Sequence, residues 1–224
     1  TATVHDLYFM DDPTLHKTGI GGKAANYYWR RIYLPSLAGL DAVRAISEVT
    51  IGDLRRHAPE ARTPRLIYHR VEGPSEVTRR SLPADREPLR IAFLGSIIPR
   101  KNLKYLLQAL SQTTRPWELD VVGNVWWGSD ALTSYSADRR IHFHGFVADL
   151  TRDQLLTAAH LLVSPSLYEG FGLPVAEAMA AGLPVLVSDI PAYREIAPPA
   201  ALFPLGDSSR LAAMIDGLDA ASYD

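Results

Sequence analysis

The sequence predicts an α/β protein whose parallel sheet is covered by helices on both faces. Two observations lead to this prediction. Short, mostly apolar segments such as residues 90–95 and 184–188 have the length and composition of buried strands. Segments with apolar residues at helical spacing alternate with these strands, as in residues 102–111, where four leucines share one face.

The second part of the chain contains six such strands, which is enough for a complete doubly wound, Rossmann-like domain over residues 90–224. We predict strands at 90–95, 118–123, 141–143, 160–165, 184–188 and 200–203. We predict helices at 102–111, 151–159, 174–181, 191–196 and 207–218.

The first part of the chain contains fewer elements. Its predicted strands end near residue 6 or cover 42–46 and 65–69, and its predicted helices cover 23–34 and the segment from the N-cap Ser47 to His57. Three strands are few for an independent parallel sheet. We therefore interpret residues 1–80 as the back part of a second Rossmann-like domain. Residues 81–89, which are polar and contain two prolines, are the predicted linker.

Composition excludes several classes of protein. Hydrophobic residues make up 47% of the 224, which is too many for a disordered chain. The absence of cysteine excludes a disulfide scaffold and a thiolate nucleophile, and a net charge of −2 gives no reason to expect nucleic acid as a partner. No apolar run approaches the roughly 20 residues of a membrane span. The start lacks Met and the features of a signal peptide, so we expect a segment of a longer, cytoplasmic protein.

The segment from Ser164 to Glu177 has the composition of an anion-binding loop. A buried strand ends at Pro165, and a loop with two glycines follows. Pro174 is predicted to open a helix at its first position, where its missing N–H costs nothing. The free N–H groups of such a helix start favour a phosphate. Glu169 and Glu177 would repel a phosphate, so we expect them to accept hydrogen bonds from hydroxyl groups beside it.

A second loop, residues 95–102, lies at the carboxyl end of the first strand of the Rossmann-like domain. A doubly wound sheet places its phosphate loop there. Arg100 and Lys101 are adjacent in it and would neutralise a diphosphate without a metal. Cations at a helix start are unfavourable to the helix dipole, which favours a functional role for them.

These motifs closely resemble the family-4 (group 1) retaining glycosyltransferases of the GT-B fold. The signature is Glu169, seven residues, then Glu177, within a loop of the sequence PSLYEGFGLP at residues 165–174. Other similar segments are residues 99–102, 143–147, 182–188, 5–6 and 45–48. Relative to the family, the chain looks truncated at both ends, since the early strands and the closing C-terminal helix are missing. The resemblance implies that residues 1–80 belong to the acceptor-side domain.

The resemblance implies a role for each matching residue. Glu169 and His5 are the implied catalytic residues: Glu169 contacts hydroxyls of the donor sugar, and His5 approaches the sugar from the other domain. Arg100 and Lys101 hold the diphosphate, and Glu177 binds the ribose. Ser96 stands where many members carry arginine. The remaining implied donor-binding residues are Gly145 and Phe146 at the base, and the backbone of Gly170, Phe171, Gly172 and Leu173 at the sugar and distal phosphate.

The resemblance also implies an activity. The family transfers a hexosyl group from a nucleotide diphosphate sugar to an acceptor, with retention at the anomeric carbon and without a bound metal or other cofactor. A mannosyl donor and a glycan or lipid-linked acceptor of bacterial surface polysaccharide are the expected substrates. Two alternatives stay open: a sugar-nucleotide epimerase on the same fold, and a non-catalytic fragment that only binds a sugar nucleotide.

Two further features are open to weaker interpretations. The aromatic segment 27–33 fits a helix at the inner face of a membrane, although packing on its own domain is favoured. His142 and His144 share one face of a strand but have no third ligand at useful spacing, so we expect no zinc site.

Overall fold

A computed structural model describes residues 1–11, 20–71, 81–83, 87–125, 135 and 137–219. The chain divides into two compact units. The first comprises Thr1–Arg70, Tyr168–Gly172 and Ile190–Ile196, and the second comprises Val71–Leu167, Leu173–Asp189 and Ala197–Asp224. Two short segments from the later part of the sequence are thus grouped with the N-terminal residues.

The part of the chain that the structure describes contains both strands and helices, which alternate regularly from residue 141 onward. The strands are β1 (Ala2–Val4), β2 (Val43–Ala45), β3 (Arg65–Leu66), β4 (Leu89–Leu94), β5 (Trp117–Val122), β6 (Ile141–Gly145), β7 (Leu161–Ser164), β8 (Val185–Ser188) and β9 (Leu202–Phe203). The helices are α1 (Tyr8–Asp11), α2 (Ile20–Tyr28), α3 (Leu34–Ser36), α4 (Glu48–His57), α5 (Leu103–Leu110), α6 (Asp149–Ala158), α7 (Leu173–Ala180), α8 (Pro191–Ile196) and α9 (Ser208–Asp216).

The first unit is built on a three-stranded parallel sheet in the order β1-β2-β3. Helix α4 begins at the predicted cap, where the Ser47 hydroxyl accepts a hydrogen bond from the Thr50 N–H at 3.0 Å. The carboxylate of Glu195, on α8, accepts from the N–H groups of Glu48 and Val49 at 3.1 and 2.9 Å. A carboxylate of the chain itself therefore neutralises the positive end of α4.

The structure differs from the sequence prediction at the aromatic helix. Instead of one helix over 23–34, α2 ends at Tyr28, and the five residues Trp29–Tyr33 form a π-helical turn that leads into α3. The N–H of Leu34 donates to the carbonyl oxygen of Trp29, five residues back. Pro35 follows and has no N–H to continue an α-helical ladder, which favours this rearrangement. The predicted strand 65–69 is also shorter, because it pairs with β2 only over Arg65–Leu66.

The second unit contains a six-stranded, wholly parallel sheet in the order β6-β5-β4-β7-β8-β9. Read from β4, this is the doubly wound strand order 3-2-1-4-5-6. All six predicted strands are present, with ends shifted by a few residues. The strands and helices α5 and α9 enclose a continuous apolar core that includes Phe93, Leu106 and Leu211.

The backbone just after β5 packs directly against the backbone just after β4. Gly123 has φ +147°, and a Cβ atom added to it would lie 2.0 Å from the carbonyl oxygen of Gly95. Any side chain at this position would push the two strand ends apart. The loops that follow these strands are therefore held at a fixed spacing.

We expect Gly123→Ala to lower the free energy of unfolding by about 3 kcal/mol or more, because it combines a backbone clash with a strained φ. Gly206→Ala is the matched control, since Gly206 also has a positive φ of +111° but no neighbour within 4 Å of an added Cβ. Denaturant unfolding of the two variants measures the difference. Equal losses in both would show that the strand ends tolerate a side chain.

Candidate functional site

The two loops that the sequence singled out emerge where the strand order of the second unit reverses. Strands β4 and β7 are parallel neighbours, so their carboxyl ends lie at the same edge of the sheet. Residues 95–102 follow β4, and residues 165–172 follow β7. In open α/β sheets, ligands bind in the crevice at this reversal point.

Two hydrogen bonds join these loops within the second unit. The N–H of Leu167 donates to the carbonyl oxygen of Arg100 at 2.8 Å, and the side-chain amide of Asn102 donates to the carbonyl oxygen of Pro165 at 3.1 Å. Asn102 has the left-handed conformation, with φ 54° and ψ 36°, which asparagine tolerates better than most residues. The turn Pro99–Lys101 is thereby fixed beside the segment that leads to α7.

Lys101 is buried at the end of β4. Its side chain is only 8% exposed and crosses Gly95, where an added Cβ would lie 3.0 Å from its Cε and 3.3 Å from its Nζ. Ser96, which follows Gly95 in the sequence, is half-buried, and so is Arg100. Two cationic side chains therefore belong to the turn at the place where a doubly wound sheet binds phosphate.

Helix α7 begins one residue earlier than predicted, at Leu173, so Pro174 is its second residue and not its first. The first four N–H groups of an α-helix have no partner within the helix, so the N–H that Pro174 lacks at the second position costs no hydrogen bond.

Glu177 lies one turn further along α7. Its carboxylate is 4.0 Å from the guanidinium of Arg152, and both side chains are about one-third exposed (35% and 33%). A pair this long and exposed stabilises the fold little.

In the first unit, the loop Tyr168–Gly172 packs on the backbone of His5. A Cβ atom on Gly170 would lie 2.0 Å from the carbonyl oxygen of His5, so only glycine fits there. Glu169, beside it, is 7% exposed. The structure thus brings two of the sequence-predicted site segments, His5 and Glu169–Gly170, into one place. A Cβ on Gly172 would lie 2.6 Å from the ring of Tyr193.

Tyr168 anchors this loop. Its hydroxyl donates a hydrogen bond to the carboxylate of Asp53, which lies on α4 and is 3% exposed. Burial, followed by the hydrogen bond and the charge of Asp53, raises the pKa of the Tyr168 phenol well above its usual value. The tyrosine therefore stays neutral and remains a donor at any physiological pH.

His69 is a candidate residue that the sequence analysis missed. Its ring lies between His5, at a centroid distance of 5.4 Å, and Phe171, at 5.7 Å. Its Nε2 atom is buried and has no hydrogen-bond partner among the described residues. Buried polar atoms in proteins are normally hydrogen-bonded, so this nitrogen is a candidate contact for a bound water or ligand beside two predicted site residues. The signal in the sequence was a histidine at the last position of the predicted strand 65–69.

The predicted base-binding residues lie at the end of β6. The carbonyl oxygen of Gly145 accepts a hydrogen bond from the N–H of Gly123 at 2.8 Å, and the Phe146 side chain is 79% exposed. His144 is hydrogen-bonded to the carboxylate of Asp120 at 2.6 Å. The described residues contain no group of three or more His, Asp or Glu that could hold a metal ion.

Comparison with known proteins connects this geometry to a family. The family model described as Glycosyl transferases group 1 matches residues 88–219. The chain belongs to the group 1 glycosyl transferases. The match covers the whole sheet of the second unit, including both loops at the strand-order reversal.

This group 1 glycosyl transferase is similar to several named proteins. It is 36% identical over 112 residues to O-antigen chain mannosyltransferase B of Escherichia coli, covering 46% of this chain and 29% of that one. It is 33% identical over 143 residues to phosphatidyl-myo-inositol mannosyltransferase of Mycolicibacterium smegmatis, covering 59% and 36%. The chain thus spans about a third of the length of these curated relatives.

A solved structure supports the fold. Anabaena HepE in complex with UDP-glucose aligns with a TM-score of 0.70 at 21% identity, covering 96% of this chain and 60% of that one. The predicted GT-B type α/β fold is confirmed. Separately, within the described parts of the chain, no helix has the length and apolar character needed to cross a membrane.

We expect Tyr168→Phe to loosen the first unit, because the buried carboxylate of Asp53 loses a hydrogen bond. The loss should be about 1.5–3 kcal/mol, the usual range for a hydrogen bond to a charged group. Native-state amide exchange in α4 measures it, since Asp53 lies on that helix. Tyr27→Phe, at a residue 66% exposed, is the control and should leave exchange unchanged. Unaltered α4 exchange in Tyr168→Phe would contradict the anchoring role.

Proposed function

We propose that the protein transfers a hexosyl group, with mannosyl favoured, from a nucleotide diphosphate sugar to a glycan or lipid-linked acceptor. The observation that carries this proposal is the junction at the strand-order reversal. Hydrogen bonds from Leu167 and Asn102 hold the Arg100–Lys101 turn beside the segment leading to α7. Family membership supports sugar transfer, and two of the similar proteins are named mannosyltransferases.

In the proposed reaction, the bond between the anomeric carbon and the distal phosphate oxygen breaks, and its electron pair leaves with the nucleoside diphosphate. An acceptor hydroxyl oxygen forms the new bond to the same carbon, and its proton passes to the departing diphosphate or to solvent. Retention means that the new bond forms on the face from which the diphosphate leaves. The protein's task is then to stabilise the negative charge that develops on the diphosphate.

Arg100 and Lys101 perform that task in this proposal, without a metal. Lys101 supplies a point charge from a buried position, where its electrostatic effect is stronger than in water. Arg100 supplies a fork of donors suited to phosphate oxygens. The free N–H groups at the start of α7 add a third source of positive potential, as helix starts do for phosphates.

In this proposal the acidic residues accept hydrogen bonds from hydroxyl groups of the donor. Glu169, buried beside His5, is proposed to accept from the donor sugar, while the half-buried Glu177 accepts from the ribose. His5 approaches the sugar, and the backbone from Gly170 to Leu173 faces the sugar and the distal phosphate. Gly145 and the exposed Phe146 meet the base.

We expect Lys101→Ala to weaken binding of a nucleoside diphosphate about 10- to 100-fold, because it removes a charged hydrogen-bond donor to phosphate. Binding of the corresponding nucleoside should change little. Titration calorimetry with GDP, UDP and their nucleosides measures both effects. Lys104→Ala is the control, since Lys104 is exposed on the next helical turn. Equal losses for diphosphate and nucleoside would reject the assignment.

We expect Glu177→Ala to reduce the preference for ribonucleotide over deoxyribonucleotide about tenfold, since it removes the acceptor for a ribose hydroxyl. Glu118→Ala is the matched control: Glu118 also forms a long, partly exposed ion pair, at 3.9 Å from Arg90. Competition binding with the two diphosphates gives the ratio. A ratio that does not change in Glu177→Ala would exclude the ribose role. Binding without any turnover of a labelled nucleotide sugar would instead favour a binding fragment.

A further inference from the structure

The backbone of His5 is held by two contacts, whereas its side chain is exposed. The hydroxyl of Thr50 donates a hydrogen bond to the His5 carbonyl oxygen at 3.2 Å. Gly170 packs so closely on the same oxygen that an added Cβ would lie 2.0 Å from it. Among the residues that the structure describes, the exposed ring of His5 has no hydrogen-bond partner. Exposed side chains without a fixing contact change rotamer on the picosecond to nanosecond timescale.

The ring of His69 supplies a fixing contact. The centroids of the His5 and His69 rings are 5.4 Å apart, and the ring planes are tilted by 32°. Aromatic rings attract each other at centroid distances of about 4.5–7 Å, so the two imidazoles are in contact. The His69 ring therefore occupies one side of the space around the His5 ring and limits the orientations that the His5 ring can adopt.

His69 is itself held in place. Two residues earlier, the N–H of Ile67 donates to the carbonyl oxygen of Ala45 at 2.8 Å, so the chain that leaves β3 stays attached to β2 just before the histidine. The ring of Phe171, which is 7% exposed, lies 5.7 Å from the His69 ring between centroids. A paired backbone and a buried aromatic neighbour therefore fix the position of the His69 ring.

The same ring connects two parts of the candidate site. Phe171 lies two residues after Glu169, in the loop Tyr168–Gly172. His69 is thus in ring contact both with His5 and with the loop that carries Glu169. These are the two residues whose implied role is catalytic, so a change at residue 69 alters the surroundings of both.

We propose that His69 is a positioning residue, which holds the imidazole of His5 in the orientation that sugar transfer needs. This inference rests on the proposed function, in which His5 approaches the transferred sugar. A displacement of about 1 Å at a reacting centre can lower a rate about 100-fold, so a residue that limits the motion of the His5 ring raises the rate without touching the substrate. The two histidines then have different roles: His5 acts on the sugar, and His69 acts through His5.

A double-mutant cycle tests this role. Release of GDP or UDP from the labelled nucleotide sugar, measured with the full chain, gives kcat and KM for the wild type, His5→Ala, His69→Ala and the double variant. We expect His69→Ala to lower kcat about tenfold or more and to change KM less than about twofold, because the diphosphate contacts stay intact. In the His5→Ala background the same substitution should not lower kcat further, since residues that act as a unit are not additive.

Two further variants distinguish positioning from a purely structural role. His69→Phe keeps an aromatic ring beside His5 and should retain most of kcat. His142→Ala, which removes an exposed histidine of β6, is the control and should leave kcat unchanged. The inference is overturned if His69→Ala lowers kcat by the same factor with and without His5, because His69 then acts on the fold or directly on the substrate. A loss in His69→Phe as large as in His69→Ala overturns it as well.

NMR of the histidine rings separates this inference from the proposed function. Without ligand, the ring protons of His5 should be shifted by the ring current of His69, and this shift should be lost in His69→Ala but kept in His142→Ala. Protein that turns over the nucleotide sugar but shows the same His5 signals in His69→Ala would refute the positioning role alone. Protein that shows the shift but neither binds nor turns over a nucleotide sugar would refute the proposed function, and with it a role in transfer, while confirming the contact between the rings.

Discussion

The pair of hydrogen bonds between the loop after β4 and the loop after β7 is the constraint on which the candidate site depends. One bond uses the backbone of Arg100 and the other the side chain of Asn102, so the turn between them is held at both ends. A parallel sheet brings these loops to the same edge but leaves their separation undefined. The two bonds define it, and the left-handed conformation of Asn102 is what allows the turn to end and α5 to begin at once.

In the first unit, hydrogen bonds to helix α4 hold the later segments in place. Two side chains from distant parts of the sequence form hydrogen bonds with α4. The phenol of Tyr168 donates to the carboxylate of Asp53, and the carboxylate of Glu195 accepts from the N–H groups at the start of the helix. Without these hydrogen bonds, a buried carboxylate and the unpaired N–H groups at a helix start would lower the stability of the fold. The loop that carries Glu169 is consequently placed by a helix 115 residues earlier in the chain.

Much of the fold follows from local sequence. Fully buried parallel strands are short apolar runs, and Ser47 caps α4 because its hydroxyl satisfies a local N–H, so both are visible without a structure. The π-helical turn was not predicted, because its cause is the combination of Pro35 with packing of several aromatic rings. The orphaned Nε2 of His69 and the role of Asn102 were missed for a similar reason: each depends on residues distant in sequence, and neither changes the local pattern.

The discontinuous make-up of the first unit has a practical consequence for dissecting the protein. A fragment cut after residue 70 would keep α4 but lose both segments that are attached to it, which come from residues 168–172 and 190–196. The buried Asp53 would then lack the hydrogen bond from Tyr168, and the start of α4 would lack the carboxylate of Glu195. Expressing the halves separately is therefore a poor route to independent folding units, and engineering by domain exchange with relatives must move all three stretches together.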